Sequence, residues 1–246
     1  MKRMTWEVRL GVLLVVASVI LYFSHYLVFY DSHHIFIYLL GDVAFVPIEV
    51  LLVTLIIHRL LAEREKRAIL EKLNMVIGTF FSQVGSALLR YLIEFDENFE
   101  KIRRNLVIKE DWRFKDFLAT KRSLHDYDYK IDSRKADLDG LKRLLEAERT
   151  FLVRLLENPV LLEHRTFTDL LWAVFHLADE LSHREDVRSL PETDYKHLSG
   201  DMERAYVLLI REWLNYMNHL QQAYPYLFSL ALRTNPFDPG AAVEVA

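Results

Sequence analysis

Two runs in the first sixty residues carry almost no charge, and the second of them holds two carboxylic acids where hydrocarbon should be. From Leu10 to Tyr30 there is no Asp, Glu, Lys or Arg, and from Ile35 to His58 Asp42 and Glu49 are the only ones. A bilayer core of roughly 30 Å takes about 20 helical residues to cross, so each run is long enough to span it. The first run is too long for the apolar core of a cleaved signal peptide and ends in bulky aromatics, so it is expected to stay in the protein.

The basic residues set an orientation. Lys2, Arg3 and Arg9 precede the first run, and Arg59, Arg64, Lys66 and Arg67 follow the second. The connecting Asp31-Ser32-His33-His34 has neither Lys nor Arg. Basic residues are retained on the cytoplasmic side, which predicts a multi-pass protein of the cell (inner) membrane with both termini in the cytoplasm. So short a connection makes the two spans antiparallel neighbours, with Tyr22, Phe23, Tyr26, Phe29, Tyr30 and Tyr38 near the outer end as an interfacial belt.

The rest of the chain, about 180 residues, is ample for one core. Absence of Cys removes disulfides, thiolate metal sites and thiol catalysis together. A net charge of −4, with acids and bases interspersed, leaves no electrostatic footprint for nucleic acid. Gly and Pro are few, and apolar residues recur at helical spacing.

Leu138, Leu141, Leu145, Leu152 and Leu155 form one stripe, after a capping candidate in Asp132 or Ser133 and before the stop Asn158-Pro159. Thr166 or Thr168 is placed to cap a helix carrying Leu171, Val174, Ala178 and Leu181. A last long helix after Pro191 aligns Met202, Tyr206, Leu209, Trp213, Met217 and Leu220, and ends at Tyr224-Pro225. The expected fold is therefore all-α: an N-terminal transmembrane helical hairpin, a long helix, and a cytoplasmic antiparallel helical bundle. Its predicted parts are the hairpin over 1–61, with spans at about 9–30 and 35–60, the helical domain over 62–235, and a flexible tail over 236–246.

The uncharged run Leu73 to Leu89 raises a third crossing as a rival, which would place the large domain outside. Against it, Asn74, Gly78, Ser82, Gly85 and Ser86 make a small and polar stripe at helical spacing. The run is read as a membrane-proximal helix packed closely on a neighbour, with Gly78, Ser82 and Gly85 at the contact.

The segments GDVAFVPIEVLLVTLIIHRLL, LLWAVFHLADEL, LPETDYKHLSGDMERAYVLL and YPYLFSLALRTNPF resemble those of an uncharacterised family of prokaryotic two-span membrane proteins. The resemblance covers nearly the whole chain. It implies the same architecture, brings no assigned activity, and transfers no functional residue.

Asp42 and Glu49 are seven residues apart, about 20° from eclipsed and about 10 Å apart along a helix. Pro47 between them has no amide hydrogen, which frees the Val43 carbonyl and predicts a kink. Folding the hairpin about Ser32 sets His25 at the depth of Asp42. Acid, carbonyl and imidazole on one line suit a cation or a proton relay, since a carboxyl in low dielectric stays neutral until solvated or paired. The bland alternative is helix glue: two acids that must avoid lipid, hidden by self-association into a homo-oligomer.

Other constellations are weaker. His33 and His34, with Asp31, sit in the outer turn, where paired histidines are ordinarily polar loop but also suit a metal or a pH sensor. His176, Glu180 and His183 share one helical face, and Glu180 to His183 matches the Glu-x-x-His half-site of di-iron bundles, without a second half. Asp126, Asp128 and Asp132 lack the Gly and Glu of a calcium loop and read as a solvated turn. The aromatics Trp213, Tyr216, Tyr224, Tyr226, Phe228 and Phe237 read as core before they read as an apolar ligand site. No nucleotide, nucleophile-elbow or cofactor motif occurs, and no cofactor is expected. The expected role is a non-enzymatic, self-associating membrane sensor or scaffold in contact with lipid, its cytoplasmic bundle engaging a protein partner. An oligomeric ion channel or proton pathway through Asp42 and Glu49 is the alternative, and a metal-dependent enzyme on His176, Glu180 and His183 a weaker one.

Overall fold

The structure is a computed structural model and describes residues 6–244; Lys2, Arg3 and the end of the 236–246 tail lie outside the described residues. Its helices are α1 (Trp6–Phe29), α2 (Ser32–Phe80), α3 (Ser86–Phe95), α4 (Phe99–Leu106), α5 (Phe114–His125), α6 (Leu138–Leu156), α7 (Arg165–Ser182), α8 (Glu192–Ala223) and α9 (Pro225–Arg233). A π turn, Phe81–Gly85, joins α2 to α3, and a 3-10 turn, Pro159–Glu163, precedes α7. Among the described residues the fold is all-helical, with an isolated backbone bridge between Asp96 and Ile131. The chain divides into two compact units, residues 1–65 and 66–246, and the division falls inside α2.

The first unit holds α1 and the first half of α2. Both helices are long and apolar enough to cross a membrane. Tyr30 turns the chain between them with φ at 51°, a conformation a bulky residue adopts only under constraint. Its amide donates to the Tyr26 carbonyl at 2.9 Å, closing α1, and the Asp31 carboxylate accepts from the His34 amide at 3.1 Å, capping α2. The helix thus starts at Ser32, three residues ahead of the expected 35, because the acid of the connecting turn is its cap. From 6 to 60 every residue except Ala17, His25 and Ile35 is exposed. α2 runs through Pro47 without a break.

The second unit is a bundle around α8. Leu141, Leu145 and Leu152 of α6, Phe167, Leu171, Val174 and Leu177 of α7, and Met202, Tyr206, Leu209 and Trp213 of α8 are buried together. Each such apolar side chain contributes about 1.5–3 kcal/mol relative to exposure. α7 and α8 run antiparallel: His176 faces Asp201 while Glu180, one turn on, faces His197, one turn back.

Leu73, Ile77, Phe80, Phe81, Val84, Leu88 and Leu89 also belong to this core. One face of the uncharged run that raised a third crossing is packed inside the bundle, while Met75, Thr79 and Gln83 are exposed. Gly78 lies against Tyr216 of α8, where an added Cβ would meet the ring at 3.5 Å. At the π turn a Cβ on Gly85 would fall 2.8 Å from the rings of both Phe80 and Phe81, so glycine is required there. Ser82 is exposed.

Three local expectations are corrected. The cap of α6 is Asp137, whose carboxylate accepts from the Gly140 amide at 2.9 Å, rather than Asp132 or Ser133. α7 is capped by His164, whose Nδ1 accepts from the Phe167 amide at 3.2 Å, rather than by Thr166 or Thr168. The tail is anchored where it starts: Asn235 donates to the Leu106 carbonyl, and Phe237 is buried against Trp213 with ring centroids 4.7 Å apart.

Candidate functional site

In the first unit a cleft of about 700 Å³ opens between α1 and α2, lined by apolar side chains together with Ser18, Tyr22, His25, His34, Tyr38 and Asp42. His25 and His34 lie with rings parallel and centroids 6.2 Å apart, and the His25 Nδ1 is buried without a hydrogen-bond partner. The structure thus brings His25, His34 and Asp42 to one cleft. Glu49 and His33 are outside its lining. His34 is turned toward His25 and Tyr38 rather than toward His33.

The second constellation stands between α7 and α8. His176 and Glu180 come from α7, as their four-residue spacing requires, and two residues absent from the sequence reading, His197 and Asp201, come from α8. Nε2 of His176 lies 3.4 Å, and Nε2 of His197 3.3 Å, from Oδ2 of Asp201. The same nitrogens lie 3.8 Å from Oε1 and 3.7 Å from Oε2 of Glu180. Asp201 is 4% exposed, while the imidazoles are half open to solvent.

Arginines fix both acids. Arg204 Nη1 donates to Asp201 Oδ1 at 2.9 Å, and Arg184 Nη1 donates to Glu180 Oε2 at 2.8 Å. The hydrogen bond from Arg184 holds the Glu180 carboxyl below its ordinary range, so it stays ionised. His183, grouped with His176 and Glu180 by sequence, is excluded from the cluster. Its imidazole is exposed and bonded to the Asp179 carbonyl at 2.8 Å, because residue 183 ends α7 and caps it. A signal for the missing pair was present: His176-Leu-Ala-Asp-Glu180 and His197-Leu-Ser-Gly-Asp201 repeat one His-x-x-x-acid spacing.

The aromatic group divides. Trp213, Phe228 and Phe237 are buried, while Tyr226 is exposed. Tyr216 stacks on Phe81 at 5.1 Å. Asp132 pairs with Arg134, as a solvated turn would.

Residues 69–233 match the family described as the C-terminal helical domain of Uncharacterized protein MJ1433, and residues 2–61 match its N-terminal helical domain. Uncharacterized protein MJ1433 of Methanocaldococcus jannaschii is 52% identical over 229 residues, which cover 93% of this chain and 92% of that protein. No solved structure matches the chain.

Proposed function

We propose, from the premise that this chain belongs to the MJ1433 family of helical proteins, that it is a self-associating membrane protein acting as a sensor or scaffold. α1 and the first half of α2 form the anchor, and the bundle lies in the cytoplasm and engages a protein partner. The observation carrying this reading is the exposure of nearly every apolar side chain from 6 to 60. An apolar surface far beyond a few hundred Å² calls for lipid or a partner. Asp42 and Glu49 are exposed within it, with neither a hydrogen bond nor an ion pair among the described residues. Acids so placed favour association of copies, which shields them from acyl chains.

The test is the mass of the protein in detergent. An assembly of several 29.2 kDa chains that sediments with membranes and resists alkaline wash is expected. A chain that stays soluble without detergent, or a monomer in detergent and in lipid, overturns the reading. The cleft shared by His25, His34 and Asp42 favours a second reading, a proton or cation pathway. Proteoliposomes would then show flux that disappears in Asp42→Asn while the assembly persists; absence of flux leaves the scaffold.

A further inference from the structure

The geometry points to a divalent transition-metal site, of the kind that takes zinc, formed by His176, Glu180, His197 and Asp201 between α7 and α8. This inference is independent of the membrane reading, since all four ligands belong to the bundle.

Three observations carry it. First, among the described residues His176, Glu180 and Asp201 bring ligand atoms within 4.8 Å of one another, and His197 stands beside them, its Nε2 3.3 Å from Oδ2 of Asp201 and 3.7 Å from Oε2 of Glu180. Four ligands on a tetrahedral ion with bonds of about 2.0–2.2 Å stand about 3.3–3.6 Å apart. The separations among atoms that face one point, 3.3 and 3.4 Å from the two imidazoles to Oδ2 of Asp201 and 3.8 Å from His176 to Oε1 of Glu180, are close to that edge; the 3.7 Å from His197 runs to Oε2 of Glu180, so that imidazole must turn toward Oε1 to complete the set.

Second, Oδ2 of Asp201 is buried and has no hydrogen-bond partner. Two imidazole nitrogens flank it, yet neither is aligned to donate to it. A buried carboxylate oxygen without a donor is costly, and a cation at the point between the four groups would satisfy it.

Third, the outer shell is in place. Arg204 takes Oδ1 of Asp201 and leaves Oδ2 toward the histidines; Arg184 takes Oε2 of Glu180 and leaves Oε1 toward His176. Carboxylate ligands oriented by a bond on their other oxygen are the usual support of a metal site. Two neutral imidazoles and two carboxylates balance a doubly charged ion. With no Cys in the chain, this nitrogen and oxygen set suits zinc, and its imidazoles make it a poor magnesium site. The ion would tie α7 to α8, and the half-open imidazoles leave it exchangeable with solvent.

The experiment uses the full chain in detergent, stripped with chelator, dialysed and titrated with zinc chloride alone by calorimetry, with the thermal midpoint followed in parallel. One zinc ion per chain, a dissociation constant below about 10 µM and a midpoint raised by several degrees are expected. His176→Ala and His197→Ala should each weaken binding by about 100-fold, while the His33→Ala, His34→Ala double variant binds as the parent does. His176→Gln and His197→Gln conserve volume and serve if an alanine variant misfolds, which circular dichroism reports. Absence of a stoichiometric site, unchanged affinity in the His176 and His197 variants, loss of binding in the His33 and His34 variant, or equal binding of magnesium would each overturn the assignment.

Discussion

Arg184 grips Asp194 through two parallel hydrogen bonds, Nε to Oδ2 at 2.8 Å and Nη2 to Oδ1 at 2.6 Å. Its remaining nitrogen, Nη1, reaches Glu180. One guanidinium therefore joins the end of α7 to the first turns of α8, and bidentate geometry makes the pair stronger than a surface ion pair. Arg184→Ala is expected to lower stability by about 1.5–3 kcal/mol, measured by urea denaturation.

The same contact sets an acid limb. The hydrogen bonds from Arg184 hold the Asp194 and Glu180 carboxyls below their ordinary values of 3.8 and 4.5. Carboxyls whose folded values are depressed stabilise fully above the unfolded values, and that stability is lost as pH falls through the folded ones. The thermal midpoint should thus decline below about pH 4.5 and decline less steeply in Arg184→Ala. Parallel pH profiles for the two proteins would refute the linkage.

Tyr206, which is buried, and Tyr127, which is half-buried, should respond oppositely to loss of their hydroxyls. Tyr206 is enclosed, and its hydroxyl has no hydrogen-bond partner. Tyr206→Phe removes an unpaired polar group and should be neutral or stabilise by up to about 1.5 kcal/mol. Tyr127 donates to Oδ2 of Asp96, which is 1% exposed, at 2.8 Å. Tyr127→Phe should cost about 1–3 kcal/mol. Chemical denaturation of both variants reads the contrast.

Two helical glycines should also diverge when changed to alanine. At Gly200 an added Cβ meets nothing within 4 Å, so Gly200→Ala is expected to gain up to about 1 kcal/mol from helix propensity. At Gly140 the Cβ would fall 2.9 Å from Cγ of Asp137 and 3.0 Å from Tyr91. Moving Asp137 aside breaks the cap of α6, so Gly140→Ala should lose about 1 kcal/mol or more. Thermal midpoints that rise in both variants would contradict this packing.

His219 on α8 accepts from the Asn74 side chain at Nδ1, 3.3 Å away, and its burial lowers its pKa below the ordinary 6.5. Protonation would remove the acceptor and leave a charge in the bundle. The stability that depends on the neutral ring is complete above pH 6.5 and is lost as pH falls through the depressed folded value. An NMR titration should find the His219 midpoint below 6.5; a midpoint at or above that value would contradict a ring governed by burial.

What could be read from sequence was whatever repeats along a single helix. The stripes of α6, α7 and α8 follow from a 3.6-residue period, and the structure buries Leu141, Leu171 and Leu209 accordingly. Caps are harder to read because several polar residues stand ahead of one helix: Asp137 lies four residues after Ser133 and five after Asp132, and a capping histidine such as His164 is uncommon. Phe237 follows a proline, outside any period; its aromatic ring argues for the core while its place in the 236–246 tail argues against it, and the structure buries it. Half of the cluster at Asp201 lay in plain view on each helix. What joins the halves is the antiparallel register of α7 on α8, a tertiary fact that spacing within one segment does not encode.

The end of α2 has a practical corollary for anyone wishing to free the bundle from its greasy start. Leu73, Ile77 and Phe80 are wall, not stalk, so scissors belong ahead of Lys66. A cut placed by hydrophobicity alone, after Leu89, would unroof the interior and leave Tyr216 and His219 facing water.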